Sequence, residues 1–340
     1  MGSTSKPCLP IIDYSKAKTD RLAVAKELVD ALEHGGFAYI DNVDCFEPWE
    51  LLKRAEWFFS KPDAWKRKVG TKNYNPDPNC KNVYRGFFAA NPVGNSYKEG
   101  FEFGAELPLD DPVMTRTLLY EHVTWPEEDP DRPNFFREYL QNYQKKMAAV
   151  CKDILHMIAL GLGLEETAFD CLIEKPLSTM RMLRYPVRTG PHPEAAVGSD
   201  GKKLHCDEHT DSDLLTLVAA FNFPGLQIQK DDENIAMTEW LTVDCRPNSL
   251  IMNIGECLSR MTGGRLKATR HRVLDLGVQR ISMPFFMEPS YDADISKVFV
   301  GDKSHGDKWI TDPTCTTYGL WSLKRYKAKS NTEYAGTDLY

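Results

Sequence analysis

The chain has 340 residues, and its 42 Lys+Arg against 49 Asp+Glu give a formal charge of −7. Hydrophobic residues make up 42% and charged residues 27%, a globular composition with ample length for a buried core. The acidic balance argues against nucleic-acid backbones as partners, since these demand a surplus of Lys and Arg, and no run reaches the ~18 unbroken apolar residues of a membrane span.

Leu9 to Tyr14 reads as a short strand. A helix is expected from about Asp20 to His34, stopped by Gly35-Gly36 and followed by a strand from Phe37 to Ile40. A second helix is expected from Pro48 to Phe59. Thr71 to Asn95, rich in Asn, Pro and Gly, reads as loop with short strands. A long amphipathic helix follows, roughly Pro133 to Leu160, with Phe136, Leu140, Tyr143, Met147, Val150, Ile154 and Ile158 at helical spacing. Gly161 and Gly163 end it. A glycine pair that closes a helix is not a dinucleotide loop, which opens one after a strand.

From about Ser178 the period changes. Short apolar runs at 180–185, 214–219, 226–229, 249–254, 271–274 and 280–287 are separated by turn signals such as Phe223-Pro224-Gly225 and Arg246-Pro247-Asn248. Such a series predicts an antiparallel sandwich or barrel, closed by a helix near Tyr318 to Tyr326. The regions are then 1–120, mixed helix and strand; 121–177, a long helix bracing the core; 178–300, the β-core; and 301–340, a helix and tail. One continuous domain is expected. Nine cysteines, with no CxxC and the closest pair, Cys245 and Cys257, twelve apart, fit reduced thiols better than a disulfide framework or zinc cage. No basic-then-apolar start marks a secretory signal, and Lys6 stands where a Met1-Gly2 myristoylation motif needs Ser or Thr. A cytoplasmic location is expected.

The chemistry concentrates in Leu204 to Leu217, LHCDEHTDSDLLTL. His209-Thr210-Asp211 is followed, sixty positions beyond Asp211, by His271. On a strand, residues i and i+2 share a face, so His209 and Asp211 can reach one ion while Thr210 turns away. A distant histidine would complete a two-histidine, one-carboxylate face with open positions, the donor set associated with non-haem Fe(II) oxygenases. Alone, an HxD pair arises easily by chance. Here it comes with Arg280-Ile281-Ser282, where a guanidinium fork and a hydroxyl on one face suit a bidentate carboxylate.

With these residues in place, the chain resembles the isopenicillin N synthase-like branch of the Fe(II)/2-oxoglutarate-dependent dioxygenases. The likeness runs from LPIIDYS at 9–15 and GGFAYI at 35–40 through RGF at 85–87, KEGFEFG at 98–104 and WP at 125–126. It continues with LRYP at 183–186, HTD at 209–211, PGLQI at 224–228, the Gly255 to His271 block, and RIS followed by MPFF. The resemblance implies a mainly β fold with flanking helices: a double-stranded β-helix, or jelly-roll, core with a helical N-terminal region and a C-terminal helix. It implies Fe(II) held by His209, Asp211 and His271. It also implies 2-oxoglutarate as cosubstrate, its far carboxylate meeting Arg280 and Ser282 with Tyr185 as a further donor, together with O2 and ascorbate as a candidate reductant. The expected reaction is hydroxylation, desaturation or cyclisation of a small organic molecule, with release of succinate and CO2.

His205-Cys206-Asp207 is a second HxD, four residues upstream. Its phase relative to the strand Leu214 to Leu217 does not match the family, since register decides which residues face in. His205 and Asp207 are therefore expected in the approach loop, as solvated residues or substrate contacts. Arg85, Phe87, Phe88, Arg184, Phe285 and Phe286 are candidates for the substrate pocket, although core packing or a structural ion pair accounts equally well for each.

An alternative keeps the iron and drops the cosubstrate. PEAA at 193–196, DGKKL at 200–204 and MPFF with Tyr291 look most like isopenicillin N synthases, which close a ring without 2-oxoglutarate and use the same Arg, Ser and Tyr pattern on the substrate's own carboxylate. Against this, the family's tail glutamine is missing: no Gln follows Gln279. A non-catalytic binding module is a third reading, opposed by the intact triad. Substrate and oligomeric state stay open, with a monomer compatible with the sequence.

Overall fold

The computed structural model describes residues 9–229, 239–301 and 315–328. The Met1-Gly2 start and the tail from Asn331 to Tyr340, on which the lipidation and glutamine readings fall, lie outside them. In chain order the elements are β1 (Ile11–Asp13), α1 (Arg21–His34), β2 (Phe37–Asp41), α2 (Pro48–Phe59), α3 (Asp63–Arg67), β3 (Gly86–Phe88), β4 (Glu99–Gly104) and α4 (Arg137–Gly161). They continue with β5 (Thr179–Tyr185), β6 (Leu204–His209), β7 (Leu215–Ala220), β8 (Leu226–Gln229), β9 (Trp240–Thr242), β10 (Ser249–Ile254), α5 (Glu256–Met261), β11 (His271–Leu274), β12 (Arg280–Met287) and α6 (Tyr318–Ala328). Among the described residues no helix is long and apolar enough to cross a membrane.

The strands form two sheets, in the orders β1-β2-β10-β7-β12-β5-β4-β3 and β6-β11-β8-β9. The larger sheet is not confined to the second half of the chain: β1 and β2 extend one side through β10, and β3 and β4 extend the other through β5. The N-terminal region is thus half of a sheet as well as a helical wrapper. β4 escapes a hydrophobic scan because it carries Glu99 and Glu102, yet it is buried throughout. Its charges survive burial by pairing, Glu99 with Lys66 at 2.7 Å and Glu102 with Arg181 at 2.5 Å.

Alternation sets the two faces of the large sheet. On β12, Ile281, Met283, Phe285 and Met287 join the core shared with α1 and α4, while Arg280, Ser282, Pro284 and Phe286 face the space between the sheets. On β5, Met180 and Met182 face the helices, whereas Thr179, Arg181, Leu183 and Tyr185 face inward. α1 starts at Asp20, whose side chain accepts from the Ala23 amide at 3.2 Å. Gly161 lets α4 lie close to α1, since a Cβ there would sit 2.4 Å from the Ala25 carbonyl oxygen. The result is a two-sheet jelly roll backed by helices.

Candidate metal centre and cosubstrate pocket

His209 ends β6 and His271 opens β11, and the two are direct partners in the antiparallel register. Their rings lie 4.3 Å apart, centroid to centroid. Asp211 stands two residues past the end of β6 and so is not on a strand, contrary to expectation. It is held instead from the opposite sheet: Thr216 Oγ1 on β7 donates to its Oδ2 at 2.7 Å and Asn253 Nδ2 on β10 at 2.9 Å. Its Oδ1 lies 3.8 Å from His209 Nε2 and 3.7 Å from His271 Nε2. Ligand atoms of the three side chains all fall within 4.8 Å of one another.

Backbone carbonyls choose the tautomers. His209 Nδ1 faces the Asp207 carbonyl at 2.7 Å, and His271 Nδ1 faces that of Thr269 at 3.1 Å. A carbonyl can only accept, so each Nδ1–H donates and each Nε2 presents a lone pair to the same point. Burial and the neighbouring His271 hold His209 well below the usual imidazole range, keeping it neutral. Burial opposes a charge on Asp211, but the two imidazoles and the Asn253 and Thr216 hydrogen bonds outweigh it. Two imidazole nitrogens and one carboxylate oxygen on one face suit ferrous iron. Beyond Asp211, burial and the Asp211 charge push Asp213 far above the carboxylate range, so it keeps its proton.

The triad opens on a cavity of about 580 Å³ between the sheets. At one end Arg280, Ser282 and Tyr185 line it together, with Arg280 opposite Tyr185 and Ser282 opposite Leu183 in the β12–β5 register. Arg280 is buried, its guanidinium lies 4.4 Å from the Tyr185 ring centre, and its Nε and Nη1 have no hydrogen-bond partner among the described residues. Leu226, Val218, Ile251 and Val273 supply apolar walls. Elsewhere in the cavity, Arg181 donates to Glu102 and lies 5.5 Å from the Phe286 ring centre. Buried Glu288 accepts from Thr179 at 2.7 Å and from Tyr318 at 3.0 Å, and burial raises its proton affinity. Lys98 contributes an ammonium 3.5 Å from the Cys206 thiol.

Several sequence candidates lie elsewhere. Arg85 is fully buried and donates to the carbonyls of Ala105, Glu121 and Leu177, so it ties loops together and does not face the cavity. Phe87 packs 6.2 Å from Phe58 in an aromatic cluster, and Phe88 packs beside Leu183 and Tyr185 on their face of the sheet without lining the cavity. Arg184 points to the far side of β5, pairing with Glu99 and donating to the Phe59 carbonyl. Phe285 faces the helices and Phe286 the cavity, as alternation requires.

The second HxD also departs from expectation. It lies on β6, where His205 is fully buried and Asp207 accepts from Asn95 at 3.0 Å. The ladder is irregular here: His271 faces His209, but Val273 faces Cys206. An extra residue on β6 between these pairs upsets simple alternation. Asn253, Thr216, Arg181 and Glu288 belong to the site without standing out in the sequence. The period-2 rule on 179–185 and 280–288 points to Arg181 and Glu288, whereas nothing local marks Asn253 or Thr216.

Residues 178–289 match the family model of the 2OG-Fe(II) oxygenase superfamily, and residues 9–128 match that of the N-terminal region of non-haem dioxygenase in morphine synthesis. A 2-oxoglutarate-Fe(II) type oxidoreductase of Emericella nidulans is 31% identical over 293 residues, covering 83% of this chain and 80% of that one. An isopenicillin N synthase of Streptomyces clavuligerus is 28% identical over 301 residues, covering 84% and 86%. The crystal structure of a full-length Neurospora crassa protein in complex with alpha-KG and 5-formyluracil superposes with a TM-score of 0.72 at 23% identity, over 95% of this chain and 97% of that one. A 2OG-Fe(II) oxygenase family protein from Caulobacter crescentus gives 0.72 at 22% identity, over 94% and 98%. These two structures share the jelly-roll fold. The family models together span more than half of the chain, which therefore belongs to the 2OG-Fe(II) oxygenase superfamily and is a non-haem Fe(II)- and 2-oxoglutarate-dependent dioxygenase of a small molecule.

Proposed function

We propose that His209, Asp211 and His271 hold the ferrous ion and that Arg280, with Ser282 and Tyr185, takes the far carboxylate of 2-oxoglutarate. The observation that carries this is Arg280: a buried guanidinium with two unpaired nitrogens, facing the same cavity as the triad. A buried charge without a partner is costly, and a carboxylate matches its fork. Iron and cosubstrate, when bound, supply the oxidising chemistry that converts substrate, 2-oxoglutarate and O2 to oxidised substrate, succinate and CO2. The chain's part is to orient both imidazoles so that their Nε2 atoms face one point, to aim Asp211 Oδ1 at the same point, and to keep water from the Arg280 end with apolar walls.

Phe286 beside Arg181, the Thr179–Glu288 pair, Asn95 and Lys98 suit a small polar substrate with hydrogen-bonding groups better than an alkyl chain. The free cysteines fit a reducing compartment, and we place the enzyme in the cytoplasm. Succinate release measured across amino acids, small acids and heterocycles tests the function. The expected result is a substrate-dependent rise that His209→Ala abolishes. Oxidised product without 2-oxoglutarate consumption would instead favour the ring-closing oxidase chemistry named for the Streptomyces relative.

A further inference from the structure

His205 is fully buried, and among the described residues neither of its ring nitrogens has a hydrogen-bond partner. A buried imidazole whose nitrogens make no hydrogen bonds offers its flat ring, and not its polar atoms, for a structural task. Its surroundings indicate one. The ring lies in a column built from five places in the chain. The Arg188 guanidinium sits 4.2 Å from the Tyr97 ring centre, and Tyr97 stacks on His205 at 6.1 Å and 27°. His205 meets Tyr185 at 5.7 Å and 32°, and the Arg280 guanidinium lies 4.4 Å from the Tyr185 ring centre.

Two contacts fix His205 within the column. The Tyr97 amide donates to the His205 carbonyl at 2.9 Å, joining β6 to the segment whose Asn95, Ser96 and Lys98 face the cavity. Asp275 Oδ2 lies 3.4 Å from His205 Nε2 and is itself held by His192 at 2.7 Å, while its Oδ1 accepts from the Gly277 amide at 2.8 Å. Burial pushes the imidazole down to about 4 against the pull of Asp275, with Arg280 and Arg188 adding to the effect, so the ring is neutral at physiological pH.

We infer that His205 is a positioning residue for the cosubstrate: wedged between Tyr97 and Tyr185, its ring fixes the aromatic face on which Arg280 lies and so sets the guanidinium fork for the far carboxylate of 2-oxoglutarate. This rests on the reading of Arg280 given above. Without the wedge, Tyr185 is free to tilt toward β6, and Arg280 loses the platform that orders its plane. The metal ligands do not depend on the column, because their orientation comes from the Asp207 and Thr269 carbonyls and from Asn253 and Thr216.

Anaerobic titration calorimetry of the Fe(II)-loaded full chain tests this with two probes: 2-oxoglutarate, and 2-oxobutyrate, which keeps the chelating head but lacks the far carboxylate. His205→Ala should weaken 2-oxoglutarate binding about ten-fold, the scale of one cation–π contact, and leave 2-oxobutyrate and Fe(II) affinities unchanged. His205→Leu, which fills the space without a ring, should behave as the alanine variant does. His205→Phe, which restores the ring, should recover most of the affinity. Wild-type affinity for 2-oxoglutarate in the alanine or leucine variant overturns the inference, as does an equal loss for both probes or a phenylalanine variant as weak as leucine. A wild-type chain that binds 2-oxobutyrate but not 2-oxoglutarate, or neither, overturns the Arg280 reading and this inference with it.

Discussion

Asn253 on β10 donates to Asp211 Oδ2 at 2.9 Å, the carboxylate oxygen other than the one nearest the two imidazoles. One oxygen is thereby tied to the large sheet while the other meets the histidines of the small sheet. In the proposed metal centre the two sheets meet through a single carboxylate.

Asn253→Ala should therefore loosen the ion without removing a ligand. Loss of such an outer partner typically costs about ten- to a hundred-fold in metal affinity. Fe(II) or Mn(II) titration of the apo chain should show that loss, beside a fall in apo unfolding free energy of about 1.5–3 kcal/mol from the lost hydrogen bond to a buried charge. Unchanged metal affinity would mean that Thr216 alone suffices to hold Asp211.

Gly225 bears on the other end of the cavity. A Cβ at that position would lie 3.1 Å from Arg280 Cζ and Nε and 3.3 Å from Nη1. Gly225→Ala should press the guanidinium off its place and weaken 2-oxoglutarate binding about five-fold or more, as overpacking does. Metal affinity should stay as it was, and the pair of titrations separates this outcome from general damage.

Arg85 lies beyond the cavity, so its replacement should be read in stability and not in substrate binding. Lysine cannot serve three carbonyls from one fork. Arg85→Lys should lower unfolding free energy by about 2–3 kcal/mol, the scale of lost hydrogen bonds to a charged group, in urea melts. A selective rise in KM for substrate with normal stability would return Arg85 to the pocket.

Acid pH should weaken the apo fold partly through His205. Its value in the folded chain is about 4 against an ordinary 6.5, so the unfolded chain takes the proton first. This contribution is fully present above pH 6.5 and is lost as pH falls toward 4. At Asp275 burial favours the neutral acid, but the Gly277 amide and His192 outweigh it and hold the carboxyl below its usual range, which adds a loss of the same sign at lower pH. His205→Phe should show a shallower fall of Tm between pH 6.5 and 4 than the wild type. A slope equal to the wild type's would show that His205 is not buried neutral.

Much of the centre is legible locally. His209, Asp211 and His271, and the Arg280–Ser282 pair, are marked by residue type and spacing, and a period of two on β5 and β12 separates Phe286 from Phe285. Arg85 and Arg184 read toward the pocket in sequence because a lone arginine near aromatics looks the same whether it binds a ligand or a carbonyl. The difference lies in residues far along the chain: Leu177 for Arg85, and Phe59 for Arg184.

His205 shows the limit most clearly. The amino-acid order determined that an imidazole would stand four residues before His209, but it reads as part of an approach loop, since apolar period and turn residues act over a few positions and none of them marks β6. Only tertiary structure decided where that imidazole went, because an irregular β6–β11 ladder breaks the alternation and Tyr97, Tyr185 and Asp275 arrive from three other segments. Local steric preference acts within a few residues of chain, whereas register and long-range stacking are settled by what the fold brings alongside.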